Sequence, residues 1–497
     1  MGDKYDEILR ISKRRGFLWP SFEIYGGLSG FVSFGYVGTL LKHKVESLWR
    51  RTFIENFGFL EIETPLITPA RVLEASGHVD HFRDPIVACQ KCQRRYKADS
   101  LVKEQTDLVA EELTIGELGE AIASKGVRCP QCGGGLSKPK YFRTMFETKI
   151  GPYTEARGFG RPEAAQAMFV AFKRYYEHAR KRLPFGVGQV GRVLRNEISP
   201  RQGPIRLREF TIMEVELFFD PQRPECDRLD EVKDDSIRIL TKDMQTAGQM
   251  EPMEETVTEA LRSGHITGDW LAYFMAIAQR FLVSLGVPRK MQRFREHLPN
   301  ERAHYSLQTF DQEVLLERWG WVEVSGHSNR GDYDLRRHME FSGVDMRIPS
   351  EGGKEVIPQV IEPSFGSERI VYCVLEYSYS KKDDRTIMRI PREVSPIQIA
   401  VFPLVVKDEL PRKAQEIHDM LSREGFNVTY DEGGSIGRRY ARADEIGVPI
   451  AVTVDYETLS EGSVTLRDRD TWKQVRRKID DLSKVLRDYF SRRAEIF

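Results

Sequence analysis

Residues 192–216 constrain the fold of this chain more than any other segment. Residues 192–197 and 205–216 each alternate like a strand, and the loop between them contains Pro200, Gly203 and Pro204. Two such strands joined by a loop of turn residues predict an antiparallel hairpin, here with a long tip. Because side chains two positions apart share one face of a strand, Arg195 and Glu197 are predicted to project together.

The charged and aromatic side chains of this hairpin suit a nucleotide. An arginine can hold a phosphate or a carboxylate through two parallel hydrogen bonds, and Phe210 can stack on a purine ring. The alternative is an exposed hairpin crossed by ion pairs. As a whole, residues 192–216 resemble the second signature motif of class II aminoacyl-tRNA synthetases. The resemblance implies that Arg195 contacts the α-phosphate of ATP, that Glu197 holds the adenine amino group or the loop, and that Phe210 stacks on adenine.

Two further segments resemble the other motifs of that family. Residues 360–371 are similar to the third motif, in which a strand enters a helix through a turn of small residues and Arg369 would reach the γ-phosphate. Residues 41–65 are similar to the first motif, an amphipathic helix and a strand that form the dimer interface in the family. Separately, the two segments are compatible with a plain strand–turn–helix and an ordinary core helix. Together, the three motifs imply an α+β fold with an antiparallel sheet flanked by helices.

The resemblance also implies the chemistry of activation, in which an amino-acid carboxylate attacks the α-phosphate of ATP and displaces pyrophosphate. Because the nucleophile is already ionised, the barrier comes from bringing anions together, and fixed arginines and Mg²⁺ lower it. Glu323 is the candidate Mg²⁺ ligand, and a surface strand carboxylate is its alternative role. The predicted ATP-binding residues are Arg195, Asn196, Glu197, Arg206, Leu207, Arg208, Glu209, Phe210, Glu323, Val324 and Arg369, with Arg195, Glu197 and Arg369 as catalytic candidates.

Residues 161–166 resemble a segment characteristic of glycyl-tRNA synthetases, with Ala164 in place of the usual threonine. Glycine has no side chain, so an enzyme must bind its ammonium and carboxylate groups and exclude larger amino acids by bulk. The resemblance implies that Glu163, Glu362 and Ser364 hold the ammonium group, whereas a structural salt bridge is the alternative role of the glutamates. The predicted glycine-binding residues are Glu163, Arg330, Glu362, Pro363 and Ser364, with Arg330 meeting the substrate carboxylate and Lys97 as a further candidate contact.

Four of the six cysteines form two C-x-x-C pairs, Cys89 with Cys92 and Cys129 with Cys132. Two such pairs can supply the four thiolates of a tetrahedral Zn²⁺ site, which leaves no open position for catalysis. The spacer of residues 93–128 is longer than in the usual zinc ribbon, so metal-free cysteines in a mobile insertion are the alternative. The sequence therefore predicts a structural Zn²⁺ site.

The length of 497 residues predicts more than one domain. Residues 1–392 are predicted to form the catalytic domain, with one insertion at residues 85–140 and a mostly helical one at residues 225–300. Residues 393–497 are predicted to form a separate mixed α/β domain that ends in a helix at residues 471–491. Residues 433–447 and 463–471 resemble the anticodon-binding domain of the glycyl, prolyl, threonyl and histidyl enzymes. The basic residues after 467 suit an RNA backbone, and a solvated helix face is the alternative.

Composition limits the remaining possibilities. The formal net charge is zero, so contact with nucleic acid must come from local basic surfaces. No apolar run approaches the length of a membrane helix and the charged N-terminus lacks a signal peptide, which predicts a cytoplasmic protein without membrane association. The resemblance implies a homodimer, of the archaeal and eukaryotic type, that activates glycine with ATP and transfers it to tRNA(Gly). The alternative is an inactive relative that serves as a nucleic-acid-binding subunit.

Overall fold

The structure is a computed structural model that describes residues 3–106, 108, 110, 113–152, 156–198, 203–350 and 352–497. Helices and strands follow one another along these residues. The α-helices of this part of the chain are α1 Lys4–Arg15, α2 Tyr36–Phe53, α3 Ala70–Ala75, α4 His78–His81, α5 Ala98–Gln105, α6 Ile115–Ser124, α7 Ala165–Val170, α8 Phe172–His178, α9 Lys242–Thr246, α10 Val257–Arg262, α11 Asp269–Ser284, α12 Tyr333–Ser342, α13 Ser367–Ser378, α14 Leu410–Arg423, α15 Ile436–Ile446, α16 Tyr456–Glu461 and α17 Ile479–Phe490.

The β-strands of the described residues are β1 Leu18–Pro20, β2 Val32–Phe34, β3 Leu60–Glu61, β4 Ile67–Pro69, β5 Arg83–Ala88, β6 Arg95–Lys97, β7 Lys140–Arg143, β8 Glu147–Lys149, β9 Arg157–Gly160, β10 Phe185–Leu194, β11 Glu209–Phe219, β12 Ser236–Leu240, β13 Met253–Thr256, β14 Gln292–Glu296, β15 Gln308–Leu316, β16 Gly320–Gly331, β17 Ile348–Pro349, β18 Glu355–Val356, β19 Gln359–Gly366, β20 Tyr379–Lys382, β21 Arg385–Met388, β22 Ile399–Pro403, β23 Val428–Tyr430, β24 Ile450–Val454, β25 Ser463–Asp468 and β26 Gln474–Lys478.

A nine-stranded sheet organises the larger part of the molecule, in the order β13-β12-β14-β15-β16-β19-β11-β10-β3. Its neighbouring strands are antiparallel, except that β3 with β10 and β12 with β14 are parallel. The predicted α+β class, with an antiparallel sheet and flanking helices, is confirmed.

The predicted hairpin is formed by β10 and β11, which pair from Phe185 opposite Phe218 to Leu194 opposite Glu209. Arg195 and Glu197 come after the last residue of β10, so they belong to the loop rather than to the strand. Within the predicted tip, residues 199–202, which include Pro200, lie outside the described residues.

The strand β11 separates a hydrophobic core from a polar face. Met213, Val215 and Leu217 are buried in the main core together with residues of α2, α11 and α13. Because side chains alternate along a strand, Glu214 and Glu216 project from the opposite face. The sheet thus has a hydrophobic core on one side, and on the other side it carries charged groups beside the helices α7, α8 and α12.

The amphipathic helix predicted after residue 41 is α2, whose apolar residues recur every three or four positions and face the core. Its fully buried side chains include Leu41, Val45, Trp49 and Phe53. A short 3₁₀ turn follows α2, and the helical segment ends at Gly58. This residue has a φ of 65°, in the left-handed region that glycine tolerates.

Residues 225–300 differ from the mostly helical insertion that the sequence predicts. The strands β12, β13 and β14 of this region pair into the nine-stranded sheet, and only α11 is a long helix. The alternation of Ile237 and Ile239 with polar residues is a strand pattern. It was outweighed in the sequence by the many charged residues between these short strands. The region therefore extends the central sheet.

The cysteine-containing region has a small core of its own. The sheet β6-β5-β7 packs against α5, which in turn packs against α6. Val87, Leu101, Val102 and Leu118 are among the buried residues of a separate hydrophobic cluster there.

The C-terminal residues form a five-stranded mixed sheet in the order β23-β22-β24-β25-β26. Its strands share a hydrophobic cluster with α14 and α17. The helix predicted at residues 471–491 is wrong in its first part, because β26 pairs with β25 and the helix α17 begins at Ile479. Residues 474–478 contain three basic residues and one apolar residue, so their pattern does not distinguish a strand from a basic helix face. In the described part of the chain, no helix combines the length and apolar character that crossing a bilayer requires.

Candidate active site

A cavity of about 290 Å³ opens on the face of the nine-stranded sheet from which Glu214 projects. The strands β11, β16 and β19 supply part of its lining, together with the loops before α7 and after β10. The predicted site residues that line it are Glu163, Arg195, Glu197, Arg206, Leu207, Phe210, Glu323, Val324, Glu362, Ser364 and Arg369. The predicted residues outside its lining are Lys97, Asn196, Arg208, Glu209, Arg330 and Pro363.

Three arginines of the lining, Arg195, Arg206 and Arg369, form what we call the arginine group. Nε of Arg195 donates to the Pro162 carbonyl oxygen at 3.1 Å. Its two terminal guanidinium nitrogens make no hydrogen bond within the described residues. The Arg195 guanidinium carbon lies 5.4 Å from the centroid of the Phe210 ring. A guanidinium with two open donors beside an aromatic ring can take a phosphate next to a stacked base.

Arg369 is fixed by neighbouring backbone and by one carboxylate. Its Nε donates to the Ile205 carbonyl oxygen at 2.7 Å, and its Nη1 lies 3.0 Å from Oε2 of Glu323. Arg206 similarly has Nε 2.9 Å from an oxygen of Glu197. These contacts fix the arginine group at the cavity, and each of its arginines retains donors that no described residue uses.

Glu163, Glu214 and Glu362, which we call the glutamate group, line the same cavity. Oε1 of Glu163 accepts from Gln166 at 2.7 Å, and Oε1 of Glu362 accepts from Arg330 at 2.9 Å. In contrast, both oxygens of Glu214 are occupied, one by the Ser364 hydroxyl and the other by the Ala164 backbone N–H.

The second oxygens of Glu163 and Glu362 are available to a ligand. Within the described residues, neither Oε2 receives a hydrogen bond. Neither atom belongs to the fully buried polar atoms without a partner, so both remain accessible. Each glutamate thus has one oxygen held by the protein and one directed to the cavity. Two such oxygens can accept hydrogen bonds from an ammonium group.

The charge states in the glutamate group differ. Burial opposes ionisation of Glu163, but His78 and Arg330 outweigh it, so the pKa of this carboxyl lies well below its usual value. Burial and the neighbouring Glu362 and Glu163 raise the pKa of Glu214 to about 8. Burial also raises the pKa of Glu362, although Arg330 opposes it. At neutral pH the site therefore contains a firmly ionised Glu163 beside a protonated Glu214.

Arg330 was predicted to meet the substrate carboxylate, and the structure places it elsewhere. The side chain is fully buried behind the glutamate group, with Nε 2.8 Å from Asp334 and Nη1 2.9 Å from Glu362. Its guanidinium carbon lies 3.8 Å from the centroid of the Tyr305 ring. Because its donors are taken by carboxylates of the protein, Arg330 holds the glutamates rather than a ligand.

Lys97 is also outside the lining of the cavity, although the pocket that it lines shares Glu197 and Arg206 with the cavity. Its ammonium group lies 3.2 Å from Asp84 and 3.4 Å from Asp99, in a smaller pocket beside the loop after β10. Family similarity alone suggested this lysine, and its own carboxylate partners explain why it stays outside.

The sequence did not identify several polar residues of the site. Glu214 and Glu216 stand on β11 among apolar residues, and Glu216 is fully buried without a hydrogen-bond partner in the described residues. Two charged residues at alternate positions of an otherwise apolar strand were the available signal. Asp311 and His297 also line the cavity, with an oxygen of Asp311 2.8 Å from Nε2 of His297. They are far from the motifs in sequence, and only the pairing of β14 with β15 brings them there.

The four cysteines meet as predicted. The sulfur atoms of Cys89, Cys92, Cys129 and Cys132 all lie within 4.8 Å of one another. The Cys89–Cys132 and Cys92–Cys129 sulfur distances are 3.5 and 3.6 Å. Ligands about 2.3 Å from a tetrahedral Zn²⁺ stand about 3.8 Å apart, so the donor set and its spacing fit this ion.

Known proteins resemble this chain over nearly all of its length. It is 44% identical to the glycine–tRNA ligase of Aeropyrum pernix, over 98% of this chain and 97% of that protein. It is 41% identical to the glycine–tRNA ligase of Methanocaldococcus jannaschii, over 98% and 99%. It is 42% identical to the glycine–tRNA ligase of Thermococcus kodakarensis, over 98% of each.

A domain model and a solved structure agree with this likeness. The family described as "Anticodon binding domain" matches residues 398–489. The fold is similar to that of Giardia lamblia prolyl-tRNA synthetase in complex with prolyl-adenylate, with a TM-score of 0.62 and 14% identity. That likeness covers 98% of this chain and 79% of the other, and at such low identity it concerns the fold alone.

Proposed function

Because this chain belongs to the family of glycine–tRNA ligases, we propose that it activates glycine with ATP and transfers the glycyl group to the 3′ end of tRNA(Gly). The observation that carries the choice of glycine is the glutamate group, in which Glu163 and Glu362 each direct one oxygen to the cavity. An inactive relative would have no use for both this group and the arginine group, and the chain retains both.

The arginine group would bind the triphosphate of ATP. Arg195 has open donors beside Phe210, so it would hold the α-phosphate while Phe210 stacks on adenine. Arg206 and Arg369 would bind the β- and γ-phosphates. Charge that develops on the phosphate oxygens then meets cations already fixed by protein contacts, which lowers the barrier without reorganisation. Glu197 would hold Arg206 in place.

Mg²⁺ would be held at Glu323. Oε2 of this carboxylate pairs with Arg369, whereas Oε1 makes no hydrogen bond within the described residues. An available carboxylate oxygen next to the phosphate-binding arginines suits an ion that prefers oxygen ligands. When bound, Mg²⁺ supplies further positive charge to the phosphate oxygens.

The glutamate group would hold the ammonium group of glycine. Oε2 of Glu163 and Oε2 of Glu362 would each accept one of its three N–H bonds. Ser364 would contribute through Glu214, because its hydroxyl donates a hydrogen bond of 2.9 Å to an oxygen of that carboxyl group. The carboxylate of glycine would then point away from the glutamates, because like charges repel, and toward the arginine group where the α-phosphate lies.

Zinc, dimerisation and tRNA concern other parts of the chain. The four cysteines would hold a structural Zn²⁺, and the C-terminal sheet would bind the anticodon stem. The loop between β1 and β2 exposes Phe22, Ile24, Tyr25 and Leu28, and α2 exposes its first residue, Tyr36. We propose this apolar surface as the contact with a second copy. Since ribosomes consume charged tRNA, the cytoplasm is the proposed place of action.

Exchange of pyrophosphate into ATP tests the first step. The enzyme is incubated with ATP, labelled pyrophosphate and one amino acid at a time. Glycine should support exchange, and the Glu163→Gln and Glu362→Gln variants should require far more glycine. Absence of glycine-dependent exchange, or faster exchange with serine or alanine, would contradict the proposal. Binding of tRNA(Gly) without exchange would instead favour the inactive relative.

A further inference from the structure

His78, the first residue of α4, is a polar residue held in a fixed orientation inside the protein. Its side chain is only 2% exposed. The Ser76 hydroxyl lies 2.7 Å from its Nδ1, and Gly77 between them has a φ of 81°, which permits the sharp turn. The ring centroid lies 5.3 Å from that of Phe82 and 6.4 Å from that of Tyr305. Packing and the serine together leave the ring little freedom.

The other ring nitrogen, Nε2, points at the glutamate group. It lies 3.3 Å from Oε1 of Glu163. An ionised carboxylate can only accept, so the proton of the neutral ring belongs on Nε2, which donates to Glu163. Nδ1 then accepts from the Ser76 hydroxyl, whose other acceptor, the Leu73 carbonyl oxygen, is farther away at 3.3 Å. Gln166 donates to the same oxygen at 2.7 Å, and Nη2 of Arg330 lies 3.5 Å away.

All of these donors meet one oxygen of Glu163 and leave the other to the cavity. Glu163 shares the cavity with Glu214 and Glu362, and burial opposes its charge, so its orientation depends on what holds Oε1. Gln166 belongs to α7, three residues after Glu163 itself, and Arg330 is shared with Asp334 and Glu362. His78 is thus the donor that comes from a different part of the chain and has no second carboxylate to serve.

We propose that His78 is a positioning residue for amine recognition: by donating to Oε1 of Glu163, it turns Oε2 of that carboxylate toward the ammonium group of the substrate. This inference rests on the proposed function, because it concerns the residue behind a proposed glycine ligand. His78 itself does not touch glycine. A histidine buried only for packing would be replaceable by another ring, whereas the proposed role requires a donor at the position of Nε2.

Three variants of His78 and its partner separate these roles. His78→Phe keeps a ring and removes the donor, His78→Gln keeps an amide donor near the position of Nε2, and Ser76→Ala frees the ring to turn. His81→Ala is the matched control, because His81 lies on the same helix, is exposed and stacks on the His304 ring. The Michaelis constants for glycine and ATP and the exchange rate are measured for each by ATP–pyrophosphate exchange.

We expect His78→Phe to raise the KM for glycine by about 10- to 100-fold, as loss of a hydrogen bond to a buried charge does. The KM for ATP should stay within about threefold of wild type. His78→Gln should recover most of the affinity, with Ser76→Ala between the two, and His81→Ala should match wild type. Combined with Glu163→Gln, His78→Phe should add little further loss, since both changes act on one contact.

Other results would overturn the inference. An unchanged KM for glycine in His78→Phe, an equal rise in both Michaelis constants, or full additivity with Glu163→Gln would each assign His78 to packing. If His78→Phe does not fold, His78→Gln and Ser76→Ala carry the same comparison. Failure of the proposed function is distinguishable, because wild-type enzyme would then show no glycine-dependent exchange at all.

Discussion

At the scale of single residues, the site separates the tasks of its charged groups by what each already contacts. The two terminal nitrogens of Arg195 have no hydrogen-bond partner within the described residues, whereas the guanidinium of Arg330 pairs with Asp334 and Glu362. The same side-chain type is therefore available to a ligand in one place and holds the protein in the other. Hydrogen-bond partners, and not residue type, distinguish the two.

Replacement of Arg195 by lysine should slow activation. Lysine keeps the positive charge but loses the planar pair of donors that suits a phosphate. We expect exchange to fall by about 10²- to 10³-fold, comparable to the loss of one fixed donor at a developing charge. Arg192→Lys is the control, since Arg192 is exposed in the same hairpin and lies outside the cavity lining. Near-normal exchange in Arg195→Lys would show that the fork geometry is unimportant.

Glu214 should make the stability of the protein fall as pH rises. Its pKa is about 8 in the folded state against 4.5 as its usual value, so the folded state binds more protons between these limits. Stability is then lost with increasing pH in that window, by up to about 1.4 kcal/mol for each pH unit. Glu214→Gln cannot titrate, so its free energy of unfolding should fall less between pH 5.5 and 7.5. Denaturant unfolding at several pH values measures both proteins, and equal slopes would contradict the assignment.

Residues within the hairpin motif were predictable because their neighbours carry the pattern. Phe210 and Arg195 lie in one continuous segment, and the structure brings both to the cavity. Glu214 and Asp311 could not be placed in the same way, because strand pairing decides which side chains share a face. The contacts of Arg330 could not be predicted either, since its carboxylate partners come from β19 and α12 and only the folded chain shows that its donors are used.

At the scale of elements, the two C-x-x-C turns adjoin one small sheet, and a residue outside the two cysteine pairs also contacts them. The Tyr96 hydroxyl, on β6, lies 3.2 Å from the sulfur of Cys129. Lys97 follows directly and pairs with Asp84 of β5. The geometry of the cysteines is thus tied to the strands that connect this region to the rest of the chain.

Zinc content should depend on this cluster. Wild-type protein is expected to contain about one Zn²⁺ per chain, and Cys89→Ser should lose it, because three thiolates hold the ion much less well than four. The Cys89→Ser region should also be cut faster by protease. Cys226→Ser is the control, as Cys226 lies outside the cluster. Elemental analysis that finds no zinc in wild type, or equal zinc in Cys89→Ser, would refute the prediction.

Element prediction succeeded where periodicity was strong and failed where charge obscured it. The predicted apolar face of α2 is buried, and β24 has the predicted bounds, Ile450–Val454. The strand β26 was missed because its basic residues resemble a solvated helix face. The strands β12, β13 and β14 were not predicted, because each is short and is separated in sequence from the strand with which it pairs.

At the scale of the whole molecule, the loop between β1 and β2 exposes apolar side chains that a monomer would leave in water. Ile24 and Tyr25 are 89% and 86% exposed. The same loop touches the hairpin, since Nη1 of Arg208 donates to the Ser29 carbonyl oxygen at 2.9 Å. A partner that covers this loop would therefore also support the loop after β10.

A charge in this loop should separate the proposed dimer. Ile24→Asp is expected to sediment as a monomer at concentrations where wild type sediments as a dimer, because burial of a carboxylate in an apolar contact is costly. Its exchange activity should fall as well. Val344→Asp is the control, with another exposed apolar residue, 52% exposed, elsewhere on the surface. A dimeric Ile24→Asp protein, or a monomeric wild type, would place the contact elsewhere or exclude it.

The strand order also has a consequence for synthesis on the ribosome. Ser364 and Glu214, which are joined by a hydrogen bond at the cavity, are 150 positions apart in the chain. When β10 and β11 leave the exit tunnel, one edge of β11 remains unpaired until β19 has been synthesised. An unpaired strand edge is a site for aggregation. The C-terminal sheet has no such delay, because its strands come from consecutive segments. Slow translation between residues 220 and 360 would thus prolong the period in which the nascent chain needs a chaperone.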